Sequence, residues 1–441
     1  MPTSSRRQVL GAAALAVLAP SVLWRVPAQA RTPVRFTAAE DLPVLEMDVA
    51  TSIAKRHLVT RGQSYRRMPR GAVIMVPAGV DIPAAWWELG LRRNAPTQDG
   101  ARFIIRGEGP NRRGRLVAPG KQGVISLNNR IDRKVSFEFE DLEIRAGLSG
   151  DGVRLVRGDH VRLQRVKVTG GKNGIATTTN PIDVELIDCD LHHSGRGGGK
   201  THAIYVSYIR NMTVRNCRIS APKALGHVFK CYARHLDIRD SHLSHYETAE
   251  DLAQGYYGGL PLFDRGAWGS TIAVGNTLVR RGPVRSPVIT LRNRAYPPGY
   301  AKWVDEGWGT EAVDFHQVDN RNPQNPYLFR HLFYQNRIQN GVLPDGGVDP
   351  DVRAKPGVLL RNNGSAPWAV VVRGKSAQQG MPADWQPQNE RAVAYLVANR
   401  TEGVPFDRMT ESTPYKNPEA APTPIVEADT LPQWAADWIR D

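Results

Sequence analysis

Hydrophobic residues recur along the chain in a pattern that favours short strands stacked on one another. From residue 137 onward, apolar residues fill the first, third, sixth and eighth places of a unit that returns six times. Of these 24 places 22 are apolar, whereas an apolar content of 41% would fill about ten of them. Alternation within each half of the unit is the period of a strand with one face in a core. The six units start at Phe137, Val161, Val184, Met212, Leu236 and Ile272.

The spacing of these units predicts the fold. Successive units start 24, 23, 28, 24 and 36 residues apart, a range that is typical of stacked repeats. The segments between strands are rich in Gly, Asn and Asp, as in residues 169–174, and the repeat shows no long 3.6-residue period. The pattern therefore predicts an all-β chain folded as a right-handed parallel β-helix, in which equivalent residues of successive coils lie about 4.8 Å apart.

The cysteines fit this interpretation. The chain contains three of them, and an odd number argues against a disulfide framework. Cys189 and Cys217 occupy the same place in successive units, in line with Val166 and Ser241. We expect both thiols to be free and to pack in the core.

The first thirty residues have the features of an export signal. Arg6 and Arg7 precede an Ala/Leu/Val-rich run that ends in a small-x-small sequence at residues 28–30. This arrangement predicts a twin-arginine signal peptide and a periplasmic or secreted protein. The alternative is an uncleaved anchor, but the apolar run is short and Arg25 interrupts it. No later segment reaches about eighteen consecutive apolar residues, so we expect no membrane span.

The rest of the chain divides by composition. Residues 31–101 are expected to form an N-terminal cap and the first strands, with a strand over 73–79 and a capping helix over 84–89. A cap is needed because the open end of a β-helix would expose unpaired strand edges and core. Residues 102–400 should form the parallel β-helix, and the Pro- and Glu-rich residues 401–441 an extended C-terminal tail. Further strands are expected over 328–334, 357–361 and 369–373.

Charge narrows the class of partner. The chain carries a formal charge of +15, and it still carries +12 without the three arginines of the leader. Such an excess favours polyanionic partners. The expected export argues against nucleic acid and favours an acidic polysaccharide. The alternative is that the basic residues only keep the protein soluble.

Candidate chemistry is concentrated in one part of the repeat. Seven of the eleven histidines lie between residues 192 and 245. If Ile204 and Val206 face the core, alignment of residues 202–206 with 227–231 places Tyr205 and Lys230 side by side on the outer face. This alignment puts Arg154 in the same column one coil earlier. A second column would contain Asp151, Asn173, His202 and His227.

These residues suit elimination from a uronic acid polymer. The reaction needs a base for the proton next to the carboxylate, a positive charge near that carboxylate and an acid for the leaving oxygen. We assign Lys230 as the base, and Tyr205 or a histidine as the acid. The predicted catalytic residues are Lys230, His227, His202 and Tyr205, and the predicted substrate-binding residues are Arg154, His192, His193, Arg234 and His245. The alternatives are a basic ladder that only binds polyanions, and histidines stacked as hydrogen-bonded pairs between coils.

The same residues carry a resemblance. The pattern His-x-Ile-Tyr-Val at 202–206, followed by Gly-His-x-x-Lys-x-x-Ala at 226–233, resembles a group of exported bacterial β-helix proteins in the pectate-lyase-like superfamily. Gly258-Gly259 and residues 275–283 also fit, so the resemblance covers roughly residues 150–295. It implies a pectate-lyase-like solenoid. Tyr232 stands where the group usually has arginine, and Arg234 is the nearest substitute.

Three function classes follow. The first is a polysaccharide lyase, of which a C5-epimerase is a variant because it begins with the same proton abstraction. The second is a glycoside hydrolase on the same fold, which would need two carboxylates across the cleft. The third is a non-catalytic glycan-binding or assembly protein. Candidate carboxylates for a hydrolase are Glu247, Glu250, Asp251 and Asp264.

The sequence assigns no cofactor with certainty. Some lyases of this fold use calcium, but the chain has no dense cluster of Asp, Asn and Glu residues. A transition-metal site through His192, His193 and His202 is a further alternative. Oligomeric state, sugar and linkage have no signal in the sequence.

Overall fold

The structure is a computed structural model. It describes residues 35–428 except 86, 119, 121, 131–133, 148, 179–182, 196–200, 208, 224, 234, 267–269, 283–286, 293–326, 355–358, 363–390 and 407–424, together with 430, 431 and 439. The predicted signal peptide, Arg234 and the predicted strand at 369–373 lie outside the described residues.

The described residues form three parallel sheets around one core, and the chain visits sheets 1, 2 and 3 in turn in each coil. Sheet 1 contains β1 (Val44–Glu46), β2 (Gly71–Met75), β5 (Ala101–Arg106), β8 (Val135–Glu140), β11 (His160–Gln164), β14 (Asp183–Ile187), β17 (Asn211–Arg215), β20 (His235–Arg239), β23 (Ser270–Val274), β26 (Tyr327–Tyr334), β29 (Arg391–Val397) and β31 (Ile425–Ala428). Sheet 2 contains β3 (Asp81–Pro83), β6 (Gly114–Val117), β9 (Leu142–Ala146), β12 (Lys167–Gly170), β15 (Asp190–His192), β18 (Arg218–Ser220), β21 (His242–Ser244), β24 (Thr277–Arg280), β27 (Arg337–Asn340) and β30 (Arg400–Gly403). Sheet 3 contains β4 (Trp87–Leu89), β7 (Ile125–Asn128), β10 (Val153–Arg157), β13 (Ile175–Thr177), β16 (Ile204–Val206), β19 (Phe229–Cys231), β22 (Phe263–Gly266), β25 (Ile289–Arg292) and β28 (Leu360–Asn362).

Helices are short and lie between strands. They are α1 (Val49–Lys55), α2 (Ala249–Ala253), α3 (Pro350–Ala354) and two single 3-10 turns at Ala39–Asp41 and Tyr65–Arg67. The predicted all-β, right-handed parallel β-helix is confirmed, because each sheet is parallel and every coil from β2 to β28 adds one strand to each sheet. Among the described residues, no helix is both long and apolar enough to cross a membrane.

The predicted repeat register holds for five of the six units. Val161 pairs with Phe137 on one side and with Val184 on the other, and Met212 continues the row from Val184 to Leu236. The inward residues of these rows are almost completely buried. Alternation therefore identified the core-facing side of sheet 1 correctly over these coils.

The sixth unit is one residue out of the predicted register. Leu236 pairs with Thr271 rather than Ile272, and Leu243 pairs with Leu278. Thr271 faces inward because its Oγ1 accepts a hydrogen bond of 2.8 Å from Nε of the fully buried Arg265. A polar group inside the core therefore decides the register here, against the more hydrophobic Ile272.

A ladder of side chains fixes the corner between sheets 1 and 2. Ser241 Oγ accepts the Cys217 N–H at 3.1 Å, Asn276 Oδ1 accepts the Ser241 N–H at 3.0 Å, and Asn336 Oδ1 accepts the Asn276 N–H at 3.0 Å. Sγ of Cys217 lies 3.4 Å from the backbone nitrogen of Cys189. Both cysteines are free and buried, as predicted. Each step satisfies a backbone N–H that the tight corner turn leaves without a partner in the sheet.

The N-terminal end contains a correction. Residues 84–89 do not form the predicted capping helix, because residues 87–89 are strand β4, with Trp87 and Leu89 buried and Glu88 exposed. The helix near this end is α1 instead. Leu45 and Leu58, on either side of α1, belong to the main core cluster and cover its end. The predicted strand over 73–79 overlaps β2.

The C-terminal end of the β-helix also differs from the predicted boundary at residue 400. Residue 401 falls within β30, and β31 pairs with β29, so strands of the solenoid continue into the predicted tail. The strand expected at 328–334 is part of β26, and that expected at 357–361 corresponds to β28, which starts at Leu360.

Candidate functional site

The candidate site lies on the outer face of sheet 3. Tyr205 pairs with Lys230, and Lys230 pairs with Asp264, so these three residues occupy successive coils of one column. The predicted neighbourhood of Tyr205 and Lys230 is confirmed. Ala176 separates Arg154 from Tyr205, so Arg154 is two coils away rather than one. We call this row the outer column; it consists of Ser126, Arg154, Ala176, Tyr205, Lys230, Asp264 and Thr290.

Asp264 joins the two strongest candidates. Its Oδ2 lies 3.3 Å from Nε2 of His227 and 3.8 Å from Nζ of Lys230. The Asp264 side chain is fully buried, that of His227 is 1% exposed and that of Lys230 is 10% exposed. An acid in this position stabilises positive charge on both neighbours, so the three side chains form one buried charged group.

Sequence reasoning considered Asp264 only as a carboxylate for a hydrolase. The signal that could have placed it is the match of Phe263 with Phe229, whose rings stack with centroids 5.4 Å apart. A residue that follows an inward phenylalanine faces outward, as Lys230 does after Phe229. The long loop between β21 and β22 changes the spacing of the repeat, so alignment of the sequence did not find this match.

The second predicted column is confirmed, and it lies at the corner between sheets 2 and 3. Asn173 Nδ2 donates to Asp151 Oδ1 at 2.8 Å, and the His202 backbone N–H donates to Asn173 Oδ1 at 2.9 Å. The His227 backbone N–H donates to Nδ1 of His202 at 3.1 Å. His202 and His227 are therefore partners in a hydrogen-bonded ladder between coils, which was the alternative interpretation of these residues.

This ladder orients the two imidazoles. Because Nδ1 of His202 accepts a hydrogen bond, a neutral His202 carries its proton on Nε2. Nδ1 of His227 donates to the carbonyl oxygen of Pro261 at 2.9 Å, so Nε2, which faces Asp264 at 3.3 Å, carries a proton for the carboxylate only in the imidazolium form. Both rings are almost completely buried, so they position other groups rather than contact a polymer directly.

Tyr205 and Lys230 are more exposed than Asp264, His202 and His227, although the Lys230 side chain is only 10% exposed. Tyr205 is partly exposed, and its ring lies 5.5 Å from the ring of His202. Nζ of Lys230 lies 5.8 Å from the centre of the Tyr205 ring and 5.9 Å from that of the buried Tyr232. The Lys230 ammonium is thus placed near two aromatic rings and one carboxylate.

His192 and His193 have other partners. Nε2 of His192 lies 3.1 Å from Oγ1 of Thr169, and burial lowers the pKa of His192. Nε2 of His193 lies 2.6 Å from Oδ1 of Asp251 in helix α2, and its ring is 4.8 Å from that of Tyr256. The His193 contacts attach the loop containing α2 to the end of β15, whereas His192 contacts β12, and none of these contacts joins the two histidines to Lys230.

His245 does not fit the predicted role in substrate binding. It is fully buried, and its two ring nitrogens each lie 3.1 Å from a backbone carbonyl oxygen, of Arg281 and of Leu260. Burial, and next the positive charge of Arg280, lower the pKa of His245 to about 4. A neutral imidazole inside the protein cannot contact a polymer, so this assignment is wrong. Arg154 is exposed, and Arg234 lies outside the described residues.

The described residues contain no cluster of three or more His, Cys, Asp or Glu side chains placed to hold a metal ion. The predicted alternative of a site through His192, His193 and His202 finds no such cluster there.

The outer face of sheet 1 differs from that of sheet 3 because its charges are paired. The ion pairs there are Arg102–Glu138, Arg106–Glu140, Arg162–Glu185, Arg210–Asp183 and Arg239–Asp237. Pairs of this kind leave little net charge to attract a polyanion.

Comparison with known proteins adds two similar structures. No protein-family model and no curated protein matches this chain. The crystal structure of DFA-IIIase from Arthrobacter chlorophenolicus A6 is 11% identical, covers 86% of this chain and 87% of its own, and aligns with a TM-score of 0.33. The same enzyme in complex with GF2 gives the same identity, coverage and TM-score.

Proposed function

We propose that this protein is an exported enzyme, periplasmic or secreted, that cleaves an acidic, uronic-acid-containing polysaccharide by β-elimination. The observation that carries the proposal is Lys230, slightly exposed beside the partly exposed Tyr205 and backed by the buried Asp264. A potential base next to a potential acid, with a third group that orients the base, is the arrangement that this elimination needs.

Each group has a role in the proposed step. The Lys230 amine takes the proton from the sugar carbon next to the carboxylate, and the electron pair forms the new C=C bond as the bond to the leaving oxygen breaks. Tyr205 donates a proton to that oxygen. Asp264 stabilises the Lys230 ammonium that results, and His227 holds Asp264 in place at 3.3 Å.

Hydrolysis is less well supported by the same geometry. Both hydrolytic mechanisms need two carboxyl groups on either side of the bond, about 5–10 Å apart. Within the outer column as described, Asp264 is the one carboxylate, and it is fully buried. Elimination needs no such pair.

The charge distribution supports an anionic substrate. Sheet 1 pairs its charges, whereas sheet 3 exposes Arg154 in the outer column two coils from Tyr205. Two coils correspond to about 10 Å along the solenoid axis, so Arg154 would contact a carboxylate of a different sugar from the one that reacts.

The test is an activity panel. The mature protein and the Lys230→Arg variant are incubated with polymers of galacturonic, mannuronic, guluronic and glucuronic acid and with a neutral glucan, and ultraviolet absorbance of unsaturated ends is followed together with reducing ends. Absorbance that appears with one acidic polymer and is lost in Lys230→Arg supports the proposal. Reducing ends without absorbance would instead identify a hydrolase, and retained binding without either signal would identify a binding protein.

A further inference from the structure

A groove rich in arginine lies farther along sheet 3 from the candidate site. It has a volume of about 570 Å³ and is formed where β4, β7 and β10 end. Its charged lining residues are Arg66, Arg92, Arg93, Arg130, Arg157 and Glu88. Five guanidinium groups thus lie around a single carboxylate among the lining residues, Glu88, whose Oε1 is 3.9 Å from Nη2 of Arg130.

The arginines repeat with the coils. Arg92 and Arg93 follow β4, Arg130 follows β7 and Arg157 ends β10, so three successive coils contribute guanidinium groups at the same end of their sheet 3 strands. Successive coils are about 4.8 Å apart, a distance on the order of one sugar residue in an extended chain. A polymer with a negative charge on each sugar could therefore meet a guanidinium at each step along this groove.

Backbone contacts fix the floor of the groove. The Leu91 N–H donates to Oδ1 of the buried Asn129 at 3.2 Å, and the Arg130 N–H donates to the Leu91 carbonyl at 2.9 Å. Gly90 has a φ of +124°, and a Cβ there would lie 2.4 Å from the Asn128 carbonyl oxygen. The glycine permits this close approach, which holds Arg92 and Arg93 against the next coil.

The groove and the candidate site are on the same sheet. Glu88 at the groove pairs with Ser126 of the outer column, and Lys230 is four coils beyond Ser126. Along the solenoid axis Lys230 is therefore about 24 Å from the coil of Glu88, Arg92 and Arg93, and about 14 Å from the coil of Arg157, on whose strand the exposed Arg154 also lies. An extended polysaccharide on this face would reach both places at once.

We infer that the arginine groove is a remote binding subsite for the acidic polysaccharide, which holds the chain several sugars away from the reacting bond. The inference takes its substrate class from the proposed function. It makes chain length a determinant of affinity, because a short oligosaccharide at Lys230 cannot reach Arg92 and Arg93 at the far end of the groove.

The test compares two double variants of the mature protein. Arg92→Ala/Arg93→Ala removes two exposed charges from the groove, and Lys55→Ala/Arg353→Ala removes two exposed charges elsewhere. Binding is measured by affinity electrophoresis in gels that contain polygalacturonate, alginate, single-stranded DNA or a neutral glucan, and by competition with uronate trimers and decamers. We expect the groove variant to bind the preferred acidic polysaccharide about tenfold more weakly, while trimer binding and the control variant stay unchanged.

Three outcomes would overturn the inference: equal loss in the control, unchanged binding in the groove variant, or a preference for DNA over every acidic polysaccharide. The measurement needs no turnover, so it separates the two proposals. Groove-dependent polysaccharide binding without any cleavage would remove the proposed lyase activity and leave the subsite in place. Cleavage that does not depend on the groove arginines would support the lyase activity and remove the subsite.

Discussion

Nε2 of His227 lies 3.3 Å from Oδ2 of Asp264, and both side chains are almost completely removed from solvent. The imidazole is itself held by the carbonyl oxygen of Pro261 at 2.9 Å. A buried carboxylate is costly unless positive charge lies close to it, as His227 and Lys230 do here. Asp264 therefore belongs to the wall of the solenoid and also provides the negative charge behind Lys230.

Asp264→Asn should affect both stability and activity. The isosteric amide removes the charge that His227 and Lys230 share, and loss of one partner from a buried pair costs about 3 kcal/mol of unfolding free energy. Urea unfolding measures this loss, and turnover of the preferred polymer should fall at least about tenfold. The matched control is Asp237→Asn. The Asp237 carboxylate accepts a hydrogen bond of 2.8 Å from Arg239 nearer the surface, so this substitution should cost about 1 kcal/mol or less of unfolding free energy. Equal effects of the two substitutions would remove the special role of Asp264.

Lys230→Arg should retain the fold and lose catalysis. The guanidinium keeps a positive charge beside Asp264, but it cannot act as a base near neutral pH. We expect turnover to fall about a hundredfold with little change in the melting temperature. Truncation of an outward-facing lysine usually costs little stability. Lys230→Ala should nevertheless destabilise the protein, because it removes the contact with Asp264. Near-normal turnover in Lys230→Arg would assign Lys230 to charge neutralisation instead of proton abstraction.

The thiols should be inert in the native protein. Cys189 and Cys217 are each 2% exposed, and Cys231 is fully buried. The contact with Cys189 and next burial raise the pKa of Cys217 well above its ordinary value, which keeps the reactive thiolate rare. Incubation with a chromogenic disulfide reagent should label none of them before unfolding and all three in concentrated urea. Rapid labelling of Cys189 and Cys217 in the native state would contradict the register at the corner between sheets 1 and 2.

The sequence predicts the fold well where alternation alone sets the register. It fails at Thr271, because the side chain that selects this residue for the interior is Arg265 from another strand of the coil. It fails again at residues 84–89, where a tryptophan pair resembles a cap but Trp87 and Leu89 alternate as a strand. The first error comes from a contact between two strands of one coil, and the second from pairing of β4 with β7 of the next coil.

In the candidate site, too, the sequence places some residues correctly and others not. Tyr205 and Lys230 lie in adjacent, evenly spaced coils, so alignment found their contact. Asp264 follows an excursion that includes α2, and its place in the column depends on where the chain returns to the sheet. His245 was misplaced because its burial is created by Leu260 and Arg281, which come from outside its own strand.

The corner ladder gives a prediction on stability. Asn336 is 1% exposed, its Oδ1 accepts the Asn276 N–H, and its Nδ2 donates to the Ala273 carbonyl at 2.9 Å. Asn336→Ala leaves these buried groups without their partner and should lower the free energy of unfolding by about 2–4 kcal/mol. The exposed Asn94→Ala serves as the control and should change it by less than about 0.5 kcal/mol. Matching urea midpoints for the two variants would argue that the ladder adds no stability.

His245 should make the protein sensitive to acid. Its pKa is lowered from 6.5 to about 4 in the folded protein, because burial and the charge of Arg280 disfavour the imidazolium. Between these two values the unfolded chain binds a proton at this histidine and the folded protein does not. The contribution to stability is therefore complete above pH 6.5 and is lost progressively as the pH falls toward 4, by about 3 kcal/mol in total. Below the folded value both states are protonated and the loss levels off.

His245→Gln tests this dependence. Glutamine does not titrate, so the variant should unfold at a lower temperature than the wild type at pH 7 but lose less of its stability between pH 6.5 and pH 4. Melting temperatures measured across this range give the two slopes. The control is His57→Gln, at a partly exposed histidine just after the C-terminal end of α1, and it should keep the wild-type slope. If the His245→Gln slope also equals that of the wild type, proton uptake at His245 does not cause the acid sensitivity between pH 6.5 and pH 4. The Glu247 and Asp251 carboxyls, whose pKa values are lowered from 4.5 and 3.8 by hydrogen bonds with His242 and His193, should reduce stability only at lower pH.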